Sequence, residues 1–463
     1  MNSAVHFHSE TFPIPLYSIL ISHKGTCIQE EYFYPCTSES LHRMFSITKS
    51  MTALAVCALA AEGKIRLSDT IIQYFPDYLP ENLHSYISAM TIQDLLDMRT
   101  CHKSTTYKID LNRNWVESFF ITPPDHRSGQ IFKYDTSAAH TLAALVKRVS
   151  GKGIIDYLRS IYLNDIGFSK DAYVLCDPFG DEIGGSGLVA RPRDLMTVAR
   201  FLMALYKDEW KDSYSYLFRG AYDEEFYQRY SILVRQCMTY RTSTMHEGKT
   251  LDECQGYGSQ FWMVRNGIAM YGMGGQYAVL YPDEDLIMVT TADTQSIQGG
   301  TQIILDEMNR IDNLLRKENG SAPFPVSYPD RPATYGDETC LHNALNPLLG
   351  SYQFLTNTQG FLSCTIETDA ITLKHQDCVY RFPISAHESV ELTDPKYHQK
   401  LFVRTCGLMD ESLYQYLQIL GDYVGSIRIL IRGDGEHLTI YLRKIEESLF
   451  SEMNGFLEAI KTS

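Results

Sequence analysis

The sequence of 463 residues lacks several features that mark common function classes. It contains no CxxC pair, no P-loop pattern and no G-x-G-x-x-G fingerprint, so neither a metal site nor a nucleotide cofactor is indicated. It has no run of lysine or arginine, and 41 basic residues face 56 acidic ones, giving a formal charge of −15. Because such a chain repels phosphate backbones, general nucleic-acid binding is not expected.

Long apolar runs are also missing. No stretch reaches 18 apolar residues, so we expect no transmembrane helix. The N-terminal 25 residues lack a basic residue before their apolar stretch, which argues against a signal peptide. The 11 cysteines are odd in number and scattered, which argues against a disulfide framework. These features favour a cytoplasmic location.

The order of predicted elements indicates an α+β fold. A hairpin is predicted over 17–34, followed by helices over 46–62, 92–98, 137–149 and 195–206, strands over 260–264, 277–281 and 286–291, and a helix over 302–315. Strands followed by helices and then by strands are typical of an antiparallel sheet with helices packed on it. A proline-rich stretch over 317–348 resembles a linker, and short alternating stretches over 349–463 indicate a small β-rich, barrel-like domain.

An S-x-x-K pattern, Ser46-Ile47-Thr48-Lys49, begins the first predicted helix. Positions i and i+3 share a helix face, so the Lys49 amine can reach the Ser46 hydroxyl. A helix N-terminus also stabilises the negative charge that develops on a carbonyl oxygen when a serine attacks it. On its own, the pattern is more often a helix cap followed by a solvated lysine.

Two further segments can complete such a site. Tyr134 follows Lys133 just before a predicted helix, and a neighbouring ammonium can lower a phenol pKa so that the phenol accepts a proton. Glycines in the segment 271–277 would let a ligand approach the backbone closely at the start of a strand. Taken singly, the two segments also fit a strand-end aromatic residue and a hairpin turn.

Five segments in sequence order together resemble the serine β-lactamase-related hydrolases, the family of class C β-lactamases, D-alanyl-D-alanine carboxypeptidases, D-aminopeptidases and several esterases. They are FSITKSMTALAVCALAAEGKIRLSDTIIQYFP, MTIQDLLDMRT, IFKYDTSAAHTLAALVKRVSGK, GGSGLVARPRDLMTVARFLMAL and YGMGGQYAVLYPDEDLIMVTTAD. The resemblance spans about 300 residues. It implies a hydrolase domain over 1–316, with an antiparallel sheet flanked by helices and an all-helical region, followed by the linker and the β-rich domain.

The resemblance also implies roles for individual residues. Ser46 would be the acylated nucleophile, Lys49 would assist it, and Tyr134 would be the general base. Backbone N–H groups of Ser46 and Gln276 would form the oxyanion hole. Substrate contacts would come from Gly275, Gly274, Met273 and Thr136. The expected reaction is hydrolysis of a small-molecule or peptide-like ester or amide, by an esterase, amidase or D-peptidase rather than a true β-lactamase.

Departures from the family pattern keep an alternative open. Thr136 stands where asparagine or serine is usual, Met273 replaces a lysine, histidine or tyrosine, and Arg99-Thr100-Cys101-His102 replaces H-T-S-G. Since a thioether cannot pair with a carboxylate, Met273 favours a neutral or apolar substrate. The alternative function is a weak or inert member that binds a peptide, a peptidoglycan fragment or a protein. His42 near Ser46 is interpreted as a surface or core histidine. Trp262 is interpreted as a core residue in preference to a residue that lines the pocket.

Overall fold

The computed structural model describes residues 14–295, 299–317, 338–385, 389–408, 411–421, 423, 425–445 and 449–462. Residues 318–337 of the predicted linker lie outside the described residues. In the described part, the α-helices are α1 Ile47–Ala61, α2 Ser85–Ser88, α3 Ile92–Leu96, α4 Trp115–Ile121, α5 Thr136–Ser150, α6 Ile154–Leu158, α7 Pro192–Lys207, α8 Trp210–Ser213, α9 Glu224–Cys237, α10 Gly300–Lys317 and α11 Glu338–Leu345.

Shorter helical turns lie between the longer elements. They are 3₁₀ turns at Ile71–Tyr74, Pro76–Tyr78, Thr106–Ile109, Ser215–Arg219, Glu253–Gln255, Pro282–Glu284 and Asn346–Leu348, and a π-helical turn at Arg159–Leu163.

The strands form one sheet in each half of the chain and a small third sheet. The first half contributes β1 Leu16–His23, β2 Thr26–Tyr32, β3 His42–Arg43, β4 Tyr173–Val174, β5 Leu188–Ala190, β6 Trp262–Val264, β7 Gly267–Gly272, β8 Gln276–Tyr281 and β9 Leu286–Ala292. The main sheet has the order β2-β1-β9-β8-β7-β6, and the small sheet has the order β3-β5-β4. All pairs are antiparallel, so the α+β prediction is confirmed.

The second half forms a ten-stranded antiparallel sheet with its own core. Its strands are β10 Gly350–Phe354, β11 Phe361–Ile366, β12 Ala370–His375, β13 Val379–Pro383, β14 Val390–Thr393, β15 Lys400–Gly407, β16 Leu413–Leu420, β17 Gly425–Gly433, β18 His437–Ile445 and β19 Gly455–Lys461. The order runs β13-β12-β11-β10-β19-β18-β17-β16-β15-β14, so the consecutive strands β13 and β14 lie at opposite edges. Such a curled arrangement is barrel-like, as the alternating pattern predicted.

Helix α1 lies in the middle of the first half. Every residue of α1 except Ala60 is buried, and the helix contacts α5 and α9 on either side. Its many alanines allow this close packing, because a small side chain lets a neighbouring backbone approach. The burial fixes the start of α1, and therefore Ser46, against the end of the main sheet.

The two halves meet through a buried polar cluster. Asp293, directly after β9, is 1% exposed and accepts hydrogen bonds from Ser426 (2.7 Å) and Tyr416 (3.2 Å) of the C-terminal sheet. Arg428 lies 3.7 Å from the same carboxylate, and the Tyr17 hydroxyl lies 3.3 Å from that of Tyr416. A buried carboxylate needs such partners, so the C-terminal sheet completes the solvation of a group in the first half.

Most predicted elements agree with the structure to within a few residues. The hairpin over 17–34 and the helices over 46–62, 137–149, 195–206 and 302–315 are confirmed. The last segment, predicted as a helix or strand, contains β19. The described part of the predicted linker includes α11, which packs against β15. Among the helices of the described residues, none has the length and apolar character needed to cross a membrane.

Candidate active site

Ser46 is the N-cap of α1 and sits on a tight turn. The preceding residue, Phe45, has a φ of +45°, a left-handed conformation that is unfavourable for a bulky side chain. The Thr48 hydroxyl donates to the Phe45 carbonyl (2.6 Å) and accepts from the Leu188 N–H (2.9 Å), and Met44 N–H donates to Leu188 (2.7 Å). Strand β5 thereby holds the turn in place and leaves the Ser46 side chain partly accessible.

Lys49 lies one turn along α1 and contacts Ser46 directly. Its amine donates to Ser46 Oγ at 3.0 Å and to the Gly185 carbonyl at 2.7 Å. The side chain is 1% exposed, and this burial lowers the pKa of Lys49 to about 7. The nearby Asp135 carboxyl opposes the shift, and Lys108 adds to it. The amine is therefore about half unprotonated near neutral pH.

Tyr134 approaches Ser46 from the other side, directly before α5. Its hydroxyl is hydrogen-bonded to Ser46, its ring centroid lies 4.8 Å from Lys49 Nζ, and its ring stacks on Trp262 at 5.6 Å. Burial raises the pKa of Tyr134 well above its usual value. The sequence predicts that the neighbouring Lys133 ammonium lowers this pKa, but Lys133 forms an ion pair with Glu247, and desolvation of the phenolate dominates the shift.

Asp135 lies between Tyr134 and α5 and is not among the site residues predicted from the sequence. It is fully buried as the N-cap of α5, where it accepts from the Ser137 N–H (2.9 Å), the Ser137 hydroxyl and the Thr100 hydroxyl (3.2 Å). Burial raises the pKa of Asp135 to about 6. Thr100, in the altered segment 99–102, is thus the residue that ties this segment to the site.

The turn between β7 and β8 completes the wall beside Ser46. Gly274 and Gly275 have φ values of +90° and +92°, and both are buried. The Gln276 side chain donates to the carbonyls of Met273 (3.1 Å) and Ala292 (2.8 Å), so it braces the turn rather than facing a ligand. Of the predicted pair of oxyanion donors, Gln276 can therefore offer only its backbone.

Met273 and Thr136 are both in the site walls, with side chains engaged by protein. Met273 packs against the buried cluster of Tyr17, Cys36 and Phe45, and Leu420 of the C-terminal sheet packs against the same cluster. Thr136 donates its N–H to the Thr105 hydroxyl (3.2 Å), and its methyl group lies against Gly185. The cluster that Met273 contacts thus joins the two halves of the chain at the edge of the site.

The comparison with known families decides the identity of this fold. A family model described as Beta-lactamase matches residues 14–301, more than half of the chain. The chain belongs to the Beta-lactamase family. The predicted resemblance is confirmed, and so is the predicted fold: a Beta-lactamase-like domain followed by an antiparallel, barrel-like β region.

Named relatives of this Beta-lactamase-family chain are distant. It is 22% identical over 323 residues to a 6-aminohexanoate-dimer hydrolase of Paenarthrobacter ureafaciens, covering 62% of this chain and 76% of that one. A candidate 6-aminohexanoate-dimer hydrolase from Bacillus anthracis matches with a TM-score of 0.53 and 19% identity, over 66% of this chain and 81% of that chain. A candidate β-lactamase from Bacteroides dorei DSM 17855 matches with a TM-score of 0.50 and 14% identity, over 66% and 95%. The two structural likenesses bear on the fold.

A cavity of about 420 Å³ opens beside Tyr134 in this Beta-lactamase-family site. Its lining consists of Lys103, Ser104, Thr105, Lys108, Ile109, Lys133 and Tyr134. The segment 103–109 was not predicted as part of the site. Its one sequence signal is that it directly follows the altered segment 99–102. Within the described residues, no group of three histidine, cysteine or acidic side chains is placed to hold a metal ion.

His42 and Trp262 were given structural readings from sequence. His42 is fully buried and stacks on Tyr17 at 5.8 Å, and burial lowers the pKa of His42 to about 4. Of the two interpretations offered from the sequence, surface or core, the structure shows a core histidine. Trp262 is 9% exposed and packs on Tyr134, so it supports the site from within the core.

Gly272 controls the distance between the nucleophile turn and β7. A Cβ at this position would lie 2.1 Å from the Met44 carbonyl oxygen, so a side chain forces the backbone apart. We expect Gly272→Ala to lower the free energy of unfolding by about 1–3 kcal/mol and to impair catalysis. Gly220→Ala is the control, because its Cβ would lie 3.4 Å from its nearest neighbour, the Leu217 carbonyl. Chemical denaturation measures both, and equal stability of the two variants would contradict the close approach.

Proposed function

We propose that this protein is a serine hydrolase that cleaves an ester or amide through an acyl-enzyme on Ser46. The observation that carries the proposal is that the Lys49 amine and the Tyr134 hydroxyl both contact the Ser46 hydroxyl. A serine held between a half-unprotonated amine and a phenol has both a proton acceptor and a proton donor at hand.

Acylation begins with transfer of the Ser46 proton. The Lys49 amine accepts it, because its pKa of about 7 leaves about half of it unprotonated near neutral pH, whereas a phenol with a raised pKa stays protonated. Ser46 Oγ then attacks the substrate carbonyl. The backbone N–H groups of Ser46 and Gln276 stabilise the negative charge that develops on the carbonyl oxygen.

Tyr134 takes the second half of the proton transfer. Its hydroxyl gives a proton to the leaving alcohol or amine as the tetrahedral intermediate collapses, and the Lys49 ammonium, which holds the proton taken from Ser46, returns it to the phenolate oxygen. In deacylation a water molecule attacks the ester of Ser46, its proton passes to the same pair, and Ser46 recovers a proton. This scheme keeps Tyr134 in acid–base chemistry and gives the first acceptor role to Lys49.

The relatives favour an amide or ester substrate. The Paenarthrobacter protein is described as a hydrolase of the 6-aminohexanoate dimer. Met273 packs against the cluster of Tyr17, Cys36 and Phe45, so no charged group from that position meets the substrate. We therefore propose an esterase or amidase in preference to a β-lactamase.

Covalent labelling of Ser46 tests the proposal. The full chain is treated with a small fluorophosphonate and with p-nitrophenyl hexanoate, and intact mass, peptide mapping and nitrophenol release are measured. We expect one adduct, on Ser46, and none in Ser46→Ala, which should also fail to release nitrophenol above background. A folded wild-type chain without adduct or turnover would favour the alternative, a protein that binds a ligand without cleaving it.

A further inference from the structure

The cavity beside Tyr134 carries three lysines in a chain that is acidic overall. Two of them are neutralised: Lys103 lies 3.2 Å from Asp125, and Lys133 forms an ion pair with Glu247. The structure pairs Lys108 with no carboxylate anywhere in the described part of the chain. Lys108 is therefore the cation of this cavity that remains available to a ligand.

Lys108 is positioned to act at the reacting groups. It is exposed on the 3₁₀ turn Thr106–Ile109, and its charge is close enough to Lys49 to lower the pKa of that amine. Tyr134 lines the same cavity and is hydrogen-bonded to Ser46. A substrate attacked by Ser46 can thus extend past Tyr134 toward the Lys108 ammonium.

Neutral donors accompany this charge. Ser104 and Thr105 line the cavity next to Lys108. The Thr105 oxygen already accepts the Thr136 N–H, so its own hydroxyl proton is free to be donated. An ammonium group that is not paired with a carboxylate, together with two hydroxyl donors, fits a carboxylate ligand, because a carboxylate accepts several hydrogen bonds.

We propose that the substrate of this site carries a carboxylate that binds Lys108, with Ser104 and Thr105 as further donors. The inference rests on the proposed function and names the substrate class. It replaces the neutral or apolar substrate favoured by Met273, because the charge is bound in the cavity that Tyr134 lines, and Met273 is not part of that lining. Ile109, which is 72% exposed, adds an apolar contact for the chain that carries the carboxylate.

Two acidic residues lie near the cavity and could in principle favour a cationic ligand over an anionic one. Glu253 is close enough to Tyr134 to affect it, and its carboxylate accepts from the Lys249 N–H at 2.7 Å. Glu253 is not part of the cavity lining, and Glu247 is already paired with Lys133. The cavity therefore favours an anion, and a cationic substrate serves as the opposing arm of the test.

Three esters of equal chain length test the proposal. They are p-nitrophenyl hexanoate, mono-p-nitrophenyl adipate and the p-nitrophenyl ester of 6-(trimethylammonio)hexanoate, and kcat and KM are measured separately for each. We expect wild-type protein to prefer adipate over hexanoate through a lower KM. Lys108→Gln should reduce that preference about fivefold, since one partly exposed ion pair is lost. Lys108→Glu should shift the preference to the cationic ester.

A charge-matched control separates local from general effects. Lys170→Gln removes a positive charge from an exposed position outside the cavity, and the ratio of the three esters should not change. An ester ratio that is the same in wild type, Lys108→Gln and Lys108→Glu overturns the assignment of Lys108 while leaving the hydrolase proposal intact. A folded wild-type chain that cleaves none of the esters overturns both.

Discussion

Lys49→Met is expected to lower kcat/KM for any cleaved ester by about a thousandfold, because it removes the proposed acceptor of the Ser46 proton. Methionine nearly fills the volume of the buried lysine side chain, so the variant should fold, which circular dichroism and thermal melting verify. The loss should appear in kcat more than in KM, because Lys49 contacts Ser46 and Gly185 rather than the outer cavity.

The pH dependence of the wild-type enzyme follows from the same amine. A general base works unprotonated, so kcat/KM should rise about tenfold per pH unit below the Lys49 pKa of about 7 and level off above it. Measuring the profile with p-nitrophenyl hexanoate avoids titration of the substrate. The corresponding limb should be absent from the residual activity of Lys49→Met.

Lys49→Arg distinguishes a base from a fixed charge. A guanidinium keeps the positive charge but cannot give up a proton in this pH range, so Lys49→Arg should lose at least a hundredfold as well. Near-normal activity in Lys49→Arg would mean that Lys49 acts as a cation. The proton acceptor would then be Tyr134, the assignment implied by the family resemblance.

Tyr134→Phe is expected to lower kcat by about a hundredfold to a thousandfold, with little change in KM. The substitution removes one oxygen atom and retains the stacking on Trp262, so the position of the ring should be preserved. Without the hydroxyl, the leaving group has no nearby proton donor. Steady-state kinetics with an ester of a poor leaving alcohol should show a larger loss than with the p-nitrophenyl ester.

Tyr271→Phe is the matched control for this hydroxyl. Tyr271 lies close enough to Tyr134 to interact electrostatically, and it stacks on Tyr277 at 4.7 Å. We expect its activity to stay within about threefold of wild type, since its hydroxyl makes no contact with Ser46. If Tyr134→Phe were equally active, the phenol would have no part in proton transfer, and Lys49 alone would carry it.

Local spacing explains why part of the site could be predicted from sequence. Ser46 and Lys49 are three residues apart on a helix, so their contact follows from helix geometry alone. Tyr134 could be assigned only through the order of family segments. The helix α9 was missed, although Asp223 is an N-cap and Phe226, Tyr230 and Val234 follow at helical spacing.

The rest of the site depends on tertiary packing. The pKa of Tyr134 shifts upward because several distant segments bury it, including the one that contains Trp262. Whether Lys108 is paired depends on which carboxylates the fold brings near it. Leu420 and Met273, nearly 150 positions apart in the sequence, pack against the same buried cluster. No periodicity or motif contains this information.

Through the polar cluster at Asp293, the two halves of the chain dock on each other like two proteins in a complex. Because both halves belong to one chain, each is present at a high effective concentration for the other, so even modest docking affinity keeps the halves together. A substitution on one docked face should then require a matching substitution on the other. Asp293 with Ser426 and Cys36 with Gln418 are two such pairs, separated by 133 and 382 residues of sequence.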